Sequence, residues 1–395
     1  MQGWNVRQID INNAFLNGYL TEDVYMQQPE GPDSVLLEAF ITKLSKAFAL
    51  KDLGLVSYFL GVEVSYTGHG MHLSQTKYIK DLLTKASMQN CKETETPFST
   101  GYKLERIAKG SLGAEFENPT LYRSLVGGLQ YLVLTRPDIA YSVHKLNQYL
   151  SAPTLQHWLA CKNVLRYLQA TITYGLYIQQ EGTLETIGLT RYSDADWASD
   201  IDDRKSIGAY CIFLGNNLIS WSSKKQAIVA KSSTESEYRA LSAASSELTW
   251  LQSLCYELKI IKLPTPVLWC DNQSAGDLAK NPVFHSKTKH IELDVHYIRD
   301  KVLNKELEVR CIPTEEQVAD VLTKPLSFPK FSYFRSKLNV VNRPLSLRGD
   351  VKEAHVSQIV SKAEDCNSCS SRLQVDDLAC QLAPGGYIIS CTREY

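Results

Sequence analysis

The stretch RYSDADWASDIDDRKS (191–206) sets five aspartates within ten residues, directly after an apolar segment. Like charges that close repel, so each must be held by turn chemistry or by a cation. Read with the residues before it, LTRYSDA is a strand, and alternation puts Asp194 and Asp196 on one face with Ala195 on the other. Asp200, Asp202 and Asp203 fall in the turn that follows, where aspartate bonds its own backbone. Asp194 and Asp196 are therefore the metal candidates, and the other three read as turn.

The flanking sequence sets the fold class. IGLTRYSDA, GAYCIFLG and NLISWSS are three successive strands with Gly and Asn turns, the signal for an antiparallel meander. A long helix over 234–258 follows, then a buried strand (266–270), a helix at QSAGDLAK, another near IELDVHYIRDKVLN, a strand (307–312) and a last helix from Thr314. Strands first, then alternating helices and strands, predict one mixed α/β sheet with helices packed on it. Upstream, a short strand over 4–9 ends at Asp10, 55–66 reads as a strand, and 73–88 as a helix capped by Ser74. Residues 92–120 form the best linker. Two or three helices occupy 122–170, broken at TRPD and SAPT. Beyond 340 the pattern dissolves into a tail expected to hold little fixed structure.

On the long helix the apolar stripe runs through Leu241, Ala244, Leu248, Leu251, Cys255 and Leu258. At roughly 100° per residue, Glu237 falls at the centre of that stripe and Glu235 on the opposite face. A capping box Thr234-x-x-Glu237 is one reading, but a cap does not explain a carboxylate facing the sheet, which needs a cation or a donor. Asp271 follows the strand VLWC directly, at the carboxyl end where α/β sheets place ligands; its other reading is an N-cap. Asp320 lies in PTEEQVADVLTKP, where Thr314-x-x-Gln317 reads as a second capping box and Pro325 as the helix stop; its other reading is a solvated face.

At 395 residues, 44% hydrophobic and 22% charged, the chain has room for two or three soluble globular domains. A formal net charge of -1 means that any nucleic-acid contact must rest on local patches. No apolar run approaches the ~18 residues of a membrane span, and the start has no secretory h-region. A cytoplasmic or nuclear protein is expected, and the ten cysteines read as reduced thiols.

The order of contexts is Asp ending a first strand, Glu on the long helix, Asp after the next strand and Asp on a late helix. It resembles the ribonuclease H family. YSDADWASDIDDRKS, GNNLISWSSKKQ, STESEYRALSAA, CDNQSAGDLAKNPVFHSKTKHIE and PTEEQVADVLTKPL are similar to the ribonuclease H domain of copia-type LTR retrotransposon Pol polyproteins. Upstream, VRQIDINNAFLNGYLTEDVYMQQPEG resembles the first catalytic motif of the copia-type reverse transcriptase. LLEAFITKLSKAFALKDLGLVSYFLGVEV, GMHLSQTKYIKDLLTKASM and YRSLVGGLQYLVLTRPDIAYSVHKLNQYL resemble its later palm, thumb and connection.

The resemblance implies a ribonuclease H-like mixed five-stranded sheet with flanking helices, preceded by an incomplete palm, thumb and connection. Its expected parts are a first-motif remnant (1–33), a late palm and thumb remnant (34–110), a helical connection (111–185), the ribonuclease H-like domain (186–338) and an unrelated, disordered tail (339–395). It assigns Asp194, Glu237, Asp271 and Asp320 to catalysis and to two Mg²⁺ ions, with Mn²⁺ as the alternative ion, Asp196 as the alternative to Asp194, and Asp10 as a remnant polymerase ligand. The implied activity is endonucleolytic hydrolysis of the RNA strand of an RNA–DNA hybrid. Lys224, Lys225, Lys231, Lys287, Lys289 and His290 are the candidate phosphate contacts, and no small-molecule cofactor is expected. Other retroelement Pol proteins are the candidate partners. The family histidine before the last aspartate has no counterpart between Glu306 and Asp320.

The stretch that carries a Tyr-x-Asp-Asp motif in the family is absent, because QQPEGPDS runs straight into VLLEAF. Polymerase chemistry needs carboxylates from both motifs, so DNA synthesis is expected to be lost. Met1 starts one strand short of a folded palm, which leads us to expect a gene model on a decayed or mis-spliced element. The alternative is a catalytically inactive relic or a domesticated nucleic-acid-binding protein.

Overall fold

The computed structural model describes residues 7–11, 41–43, 45, 50–106, 115–180, 188–257, 263–280, 292–343 and 388–390. It divides into two compact units, Met1–Asn5 with Val56–Arg343, and Val6–Leu55 with Pro344–Tyr395. In the smaller unit, strand β1 (Arg7–Ile11) pairs antiparallel with β2 (Leu50–Leu55) and parallel with a short strand at Ile388–Ser390. The rest of the tail lies outside the described residues.

The larger unit opens with β3 (Tyr58–Phe59), β4 (Val62–Thr67) and β5 (Gly70–Ser74). The single strand expected over 55–66 is broken here, because Leu60 (φ 44°) and Gly61 (φ 77°) both take the left-handed conformation and turn the chain. Helix α1 (Thr76–Lys85) has Gln75 at its N-cap with no side-chain bond, so Ser74 ends a strand and caps nothing. Helices α2 (Pro119–Leu132), α3 (Ala140–Asn147) and α4 (Leu155–Ala170) follow, with breaks at Pro137 and Pro153 as read from the sequence. The stretch read as helical connection also contains a strand, β6 (Tyr174–Gln179).

Strands β7 (Leu189–Asp196), β8 (Ile207–Leu214) and β9 (Asn217–Lys225) form the expected meander, with Asp194 opposite Ala209. Helix α5 (Ser233–Glu257) crosses it. Then come β10 (Val267–Cys270), α6 (Gln273–Lys280), α7 (Glu292–Leu303) and β11 (Glu308–Cys311). Both late strands run parallel to β7, giving a mixed sheet in the order β11-β10-β7-β8-β9. That is the ribonuclease H-like α/β sheet. Helix α8 (Phe328–Lys337) and β12 (Val340–Asn342) complete the unit, and β12 joins a second five-stranded sheet, β12-β6-β5-β4-β3.

The meander is buried on both faces. Ile212 and Leu189 pack with Tyr238, Leu241 and Leu248 of α5. Ile207, Ala209, Cys211 and Phe213 belong instead to the core built by α1–α4 and residues 318–340. Among the described residues no helix is long and apolar enough to cross a membrane.

Candidate metal centre

The site gathers at the carboxyl ends of β7 and β10. Asp194 lies two residues before the end of β7, Asp271 follows β10 directly, and Glu237 sits in the first turns of α5. One oxygen from each of these three carboxylates lies within 4.8 Å of the others. Asp196 is outside that cluster, so of the two strand aspartates the structure brings in Asp194.

Neither competing capping explanation survives. At the start of α5, Ser232 Oγ accepts from the Glu235 N–H at 3.2 Å, and the Glu235 carboxylate accepts from the Lys231 N–H at 2.9 Å. Ser232, not Thr234, is therefore the capping side chain, two residues earlier than expected, and Glu235 reaches back past it to the Lys231 N–H. Glu235 is buried, not exposed on the far face, and pairs with Arg239 at 2.9 Å. That frees Glu237 to face the sheet, where Oε1 accepts from the Ala195 N–H at 3.3 Å and Oε2 is buried without a hydrogen-bond partner. Likewise α6 is capped by Asn272, whose Oδ1 accepts from the Ala275 N–H at 3.0 Å. Asp271 caps nothing, and its Oδ1 is buried and unpartnered.

Asp320 does not lie on the α-helix expected from Thr314. The chain makes two 3-10 turns, Thr314–Glu316 and Val318–Leu322, because Gln317 (ψ 95°) interrupts them. Thr314 caps no helix; the residue before the first turn is Pro313. Asp320 is fully buried and is not one of the three clustered carboxylates. Its Oδ1 meets Lys324 Nζ and its Oδ2 meets Lys330 Nζ, each at 2.8 Å. Lys324 also lies 3.6 Å from Asp194 Oδ2, which accepts a short hydrogen bond from Thr323 Oγ1. Lys324, Lys330 and Thr323 were not singled out from the sequence; the spacing of Asp320 and Lys324, four apart in DVLTK, was the available signal.

The electrostatics follow from burial. Desolvation, then the Asp194 and Asp271 charges, push Glu237 up to about 9. Desolvation raises Asp194 to about 6 against the opposing pull of Lys324. Burial also raises Asp196. Lys324 is itself disfavoured by burial, yet Asp194 and Asp320 hold its pKa above the ordinary value. Orphaned, desolvated carboxylate oxygens are suited to a hard divalent cation. Neighbouring ligand oxygens on Mg²⁺ lie about 3 Å apart, so three oxygens within 4.8 Å of one another are in reach of one ion once the carboxylates draw in on it.

Of the phosphate-contact candidates, Lys224 is exposed on β9. Lys225 is engaged, its ammonium 3.2 Å from Asp200 and 3.0 Å from Asp203. Lys231 is exposed. Lys287, Lys289 and His290 lie outside the described residues, as does the side chain of Asp10.

Residues 30–100 match the family model for reverse transcriptase (RNA-dependent DNA polymerase). The chain is 39% identical over 420 residues to the retrovirus-related Pol polyprotein from transposon RE2 of Arabidopsis thaliana, covering 88% of this chain and 28% of that protein. It is 43% identical over 220 residues to the uncharacterized mitochondrial protein AtMg00810 of the same plant, covering 56% of this chain and 88% of that one. The chain belongs to the copia-type Pol polyprotein family. This Pol chain spans about 28% of the length of the RE2 polyprotein. Among solved structures, the N-terminal RNase H domain of rv2228c from Mycobacterium tuberculosis shares 10% identity at a TM-score of 0.27, covering 38% of this chain and 98% of that one. Strand order, not that likeness, defines the fold of the Pol chain.

Proposed function

We propose that residues 186–338 of this Pol chain are a ribonuclease H-type endonuclease that hydrolyses the RNA strand of RNA–DNA hybrids, with Mg²⁺ as its cofactor and Mn²⁺ as a substitute. The observation that carries this reading is the three-carboxylate cluster with two buried, unpartnered oxygens at the carboxyl edge of the sheet. A divalent ion held there supplies Lewis-acid activation of water and charge stabilisation at the leaving oxygen. The chain's own residues orient the ligands. The Ala195 N–H and Thr323 Oγ1 each fix one carboxylate oxygen, of Glu237 and Asp194, and Asn272 spares Asp271 from capping. Lys224 and Lys231 are placed to meet backbone phosphates, and with a net charge of -1 the grip on hybrid is weak and falls steeply with salt.

We propose further that the domain sequence is a first-motif remnant (1–33), a late palm and thumb remnant (34–110), a connection (111–185), the nuclease (186–338) and an unrelated segment (339–395). Such a chain makes no DNA. The absent Tyr-x-Asp-Asp stretch supports this, as does the RE2 alignment: its 420 residues exceed the 395 of this chain, so RE2 carries residues with no counterpart here. A cytoplasmic or nuclear site and association with other retroelement Pol proteins fit this origin.

The test is cleavage of a labelled RNA–DNA hybrid by the full chain in Mg²⁺, beside Asp194→Asn and Asp271→Asn. Loss of each ligand should lower the rate about 100-fold or more. Equal rates in all three proteins would favour the inactive, nucleic-acid-binding reading, to which the lysine-paired Asp320 lends weight. Primer extension above an Asp10→Asn control would overturn the loss of polymerase activity.

A further inference from the structure

We propose that the Lys324 ammonium fills the second cation position of this carboxylate cluster, so that the protein alone takes one divalent ion and admits another only when Lys324 swings out. This rests on the nuclease reading above and concerns how that site is loaded. Two-ion hydrolytic sites hold their ions roughly 3.5–4 Å apart, clamped around the scissile phosphate. Here Asp194 is the shared ligand. It contributes one oxygen to the cluster with Glu237 and Asp271, and its Oδ2 faces Lys324 at 3.6 Å. On its other side Lys324 is 2.8 Å from Asp320 Oδ1. A cation between Asp194 and Asp320 is therefore already present, and it is the lysine.

Charge balance points the same way. With all four ionised, as ligands to an ion must be, Asp194, Glu237, Asp271 and Asp320 face two ammonium groups, Lys324 and Lys330, which leaves a net two negative charges. One divalent ion neutralises that. A second ion would meet an excess of positive charge unless the phosphodiester of a substrate arrived with it. Lys324 has the freedom to yield its place, because its side chain keeps 31% of its surface in solvent and its charge rides on a flexible four-carbon stem. An incoming phosphate offers that ammonium a new anionic partner. Asp320 is tethered differently. Its second oxygen stays with Lys330 at 2.8 Å, so the carboxylate remains in place when Lys324 leaves. Lys324 is thus a positioning residue that sets ion occupancy.

Mn²⁺ alone is the probe, titrated into the full chain without nucleic acid and read by calorimetry and electron paramagnetic resonance. The wild type should bind one equivalent and show the hyperfine pattern of an isolated ion. Lys324→Met should bind two equivalents and show the broadening of exchange-coupled ions, with second-ion affinity raised at least ~10-fold by removal of one like charge. Lys324→Arg, which keeps the charge, should stay at one, and adding Asp320→Asn to Lys324→Met should return it to one. A merely structural lysine would change melting temperature without changing stoichiometry. Two coupled ions in the wild type would overturn this inference and leave the nuclease reading standing, as would a folded Lys324→Met that keeps one. No Mn²⁺ bound by the wild type would overturn both. Should Lys324→Met not fold, the wild-type spectrum alone decides.

Discussion

Asp200 illustrates what a fully buried carboxylate becomes when every oxygen is used. Its Oδ1 accepts from the N–H groups of Asp202 at 3.1 Å and Asp203 at 3.4 Å, and its Oδ2 meets Lys145 at 3.1 Å and Lys225 at 3.2 Å. Burial would raise its pKa, but Lys145 and Lys225 overcome that and hold it down at about 2. The sign follows: a carboxyl depressed below its ordinary ~3.9 adds stability above that pH and loses it as pH falls toward 2. Asp200→Asn should lower stability at pH 7 by about 3 kcal/mol, since the buried Lys145 ammonium loses its partner while Lys225 keeps Asp203. It should also flatten the acid limb of a plot of melting temperature against pH. An unchanged acid limb would mean that these ion pairs do not hold the turn. The turn role of Asp200 was legible because side chain-to-backbone bonds of this kind are local. Lys145, 55 residues away, was not. For Glu237 the helical stripe was legible and the cap was misplaced, since Ser232 and Thr234 have equal credentials in sequence and only packing selects between them.

At the scale of elements, the segment 313–325 decides the shape of the site. Its sequence satisfies a capping-box pattern and ends in proline, so it reads as an α-helix. Gln317 overrides that pattern. Fully buried, its Nε2 donates to the Ser193 carbonyl of β7 at 3.0 Å, and its Oε1 accepts from the Ala319 N–H at 3.3 Å. A side chain that clips the turn to the strand keeps the backbone out of the helix, and no periodicity reports a contact 124 residues away. Gln317→Ala should cost about 1–3 kcal/mol, because the Ser193 carbonyl and the Ala319 amide lose their partner. Denaturant melts measure that cost, and hydrogen exchange at the Ala319 amide should quicken. Protection equal to wild type at that amide would mean the turn is held by Lys324 and Lys330 instead. The meander and the strands flanking it were readable for the opposite reason, since hairpin turns and alternation act between neighbours.

For the whole molecule, the central strand β8 is packed on both faces, whereas Glu308 and Arg310 leave one face of the edge strand β11 in solvent. Along β8, Ile207, Ala209, Cys211 and Phe213 share a core with Leu129, Val143, Leu146 and Leu165 of α2–α4, all of them upstream of residue 186. His144 Nε2 of α3 also accepts from the Lys225 N–H of β9 at 2.9 Å. The second sheet was invisible in sequence because only its β3–β5 hairpins are local, and the pairings that complete it, β5 with β6 and β6 with β12, join segments more than a hundred residues apart. Along β8 the far face is apolar and shared with the helices upstream, which ties residues 186–338 to them. Residues 186–338 expressed alone should therefore expose a contiguous apolar patch and aggregate, whereas 56–343 should run as a compact species with one cooperative melt. Size-exclusion chromatography and thermal melts of the two fragments separate the cases. A soluble, cooperatively melting 186–338 fragment would show that α2–α4 merely cover a domain that stands without them. Hybrid cleavage by 56–343 at the rate of the full chain would place everything the proposed activity needs inside the larger unit.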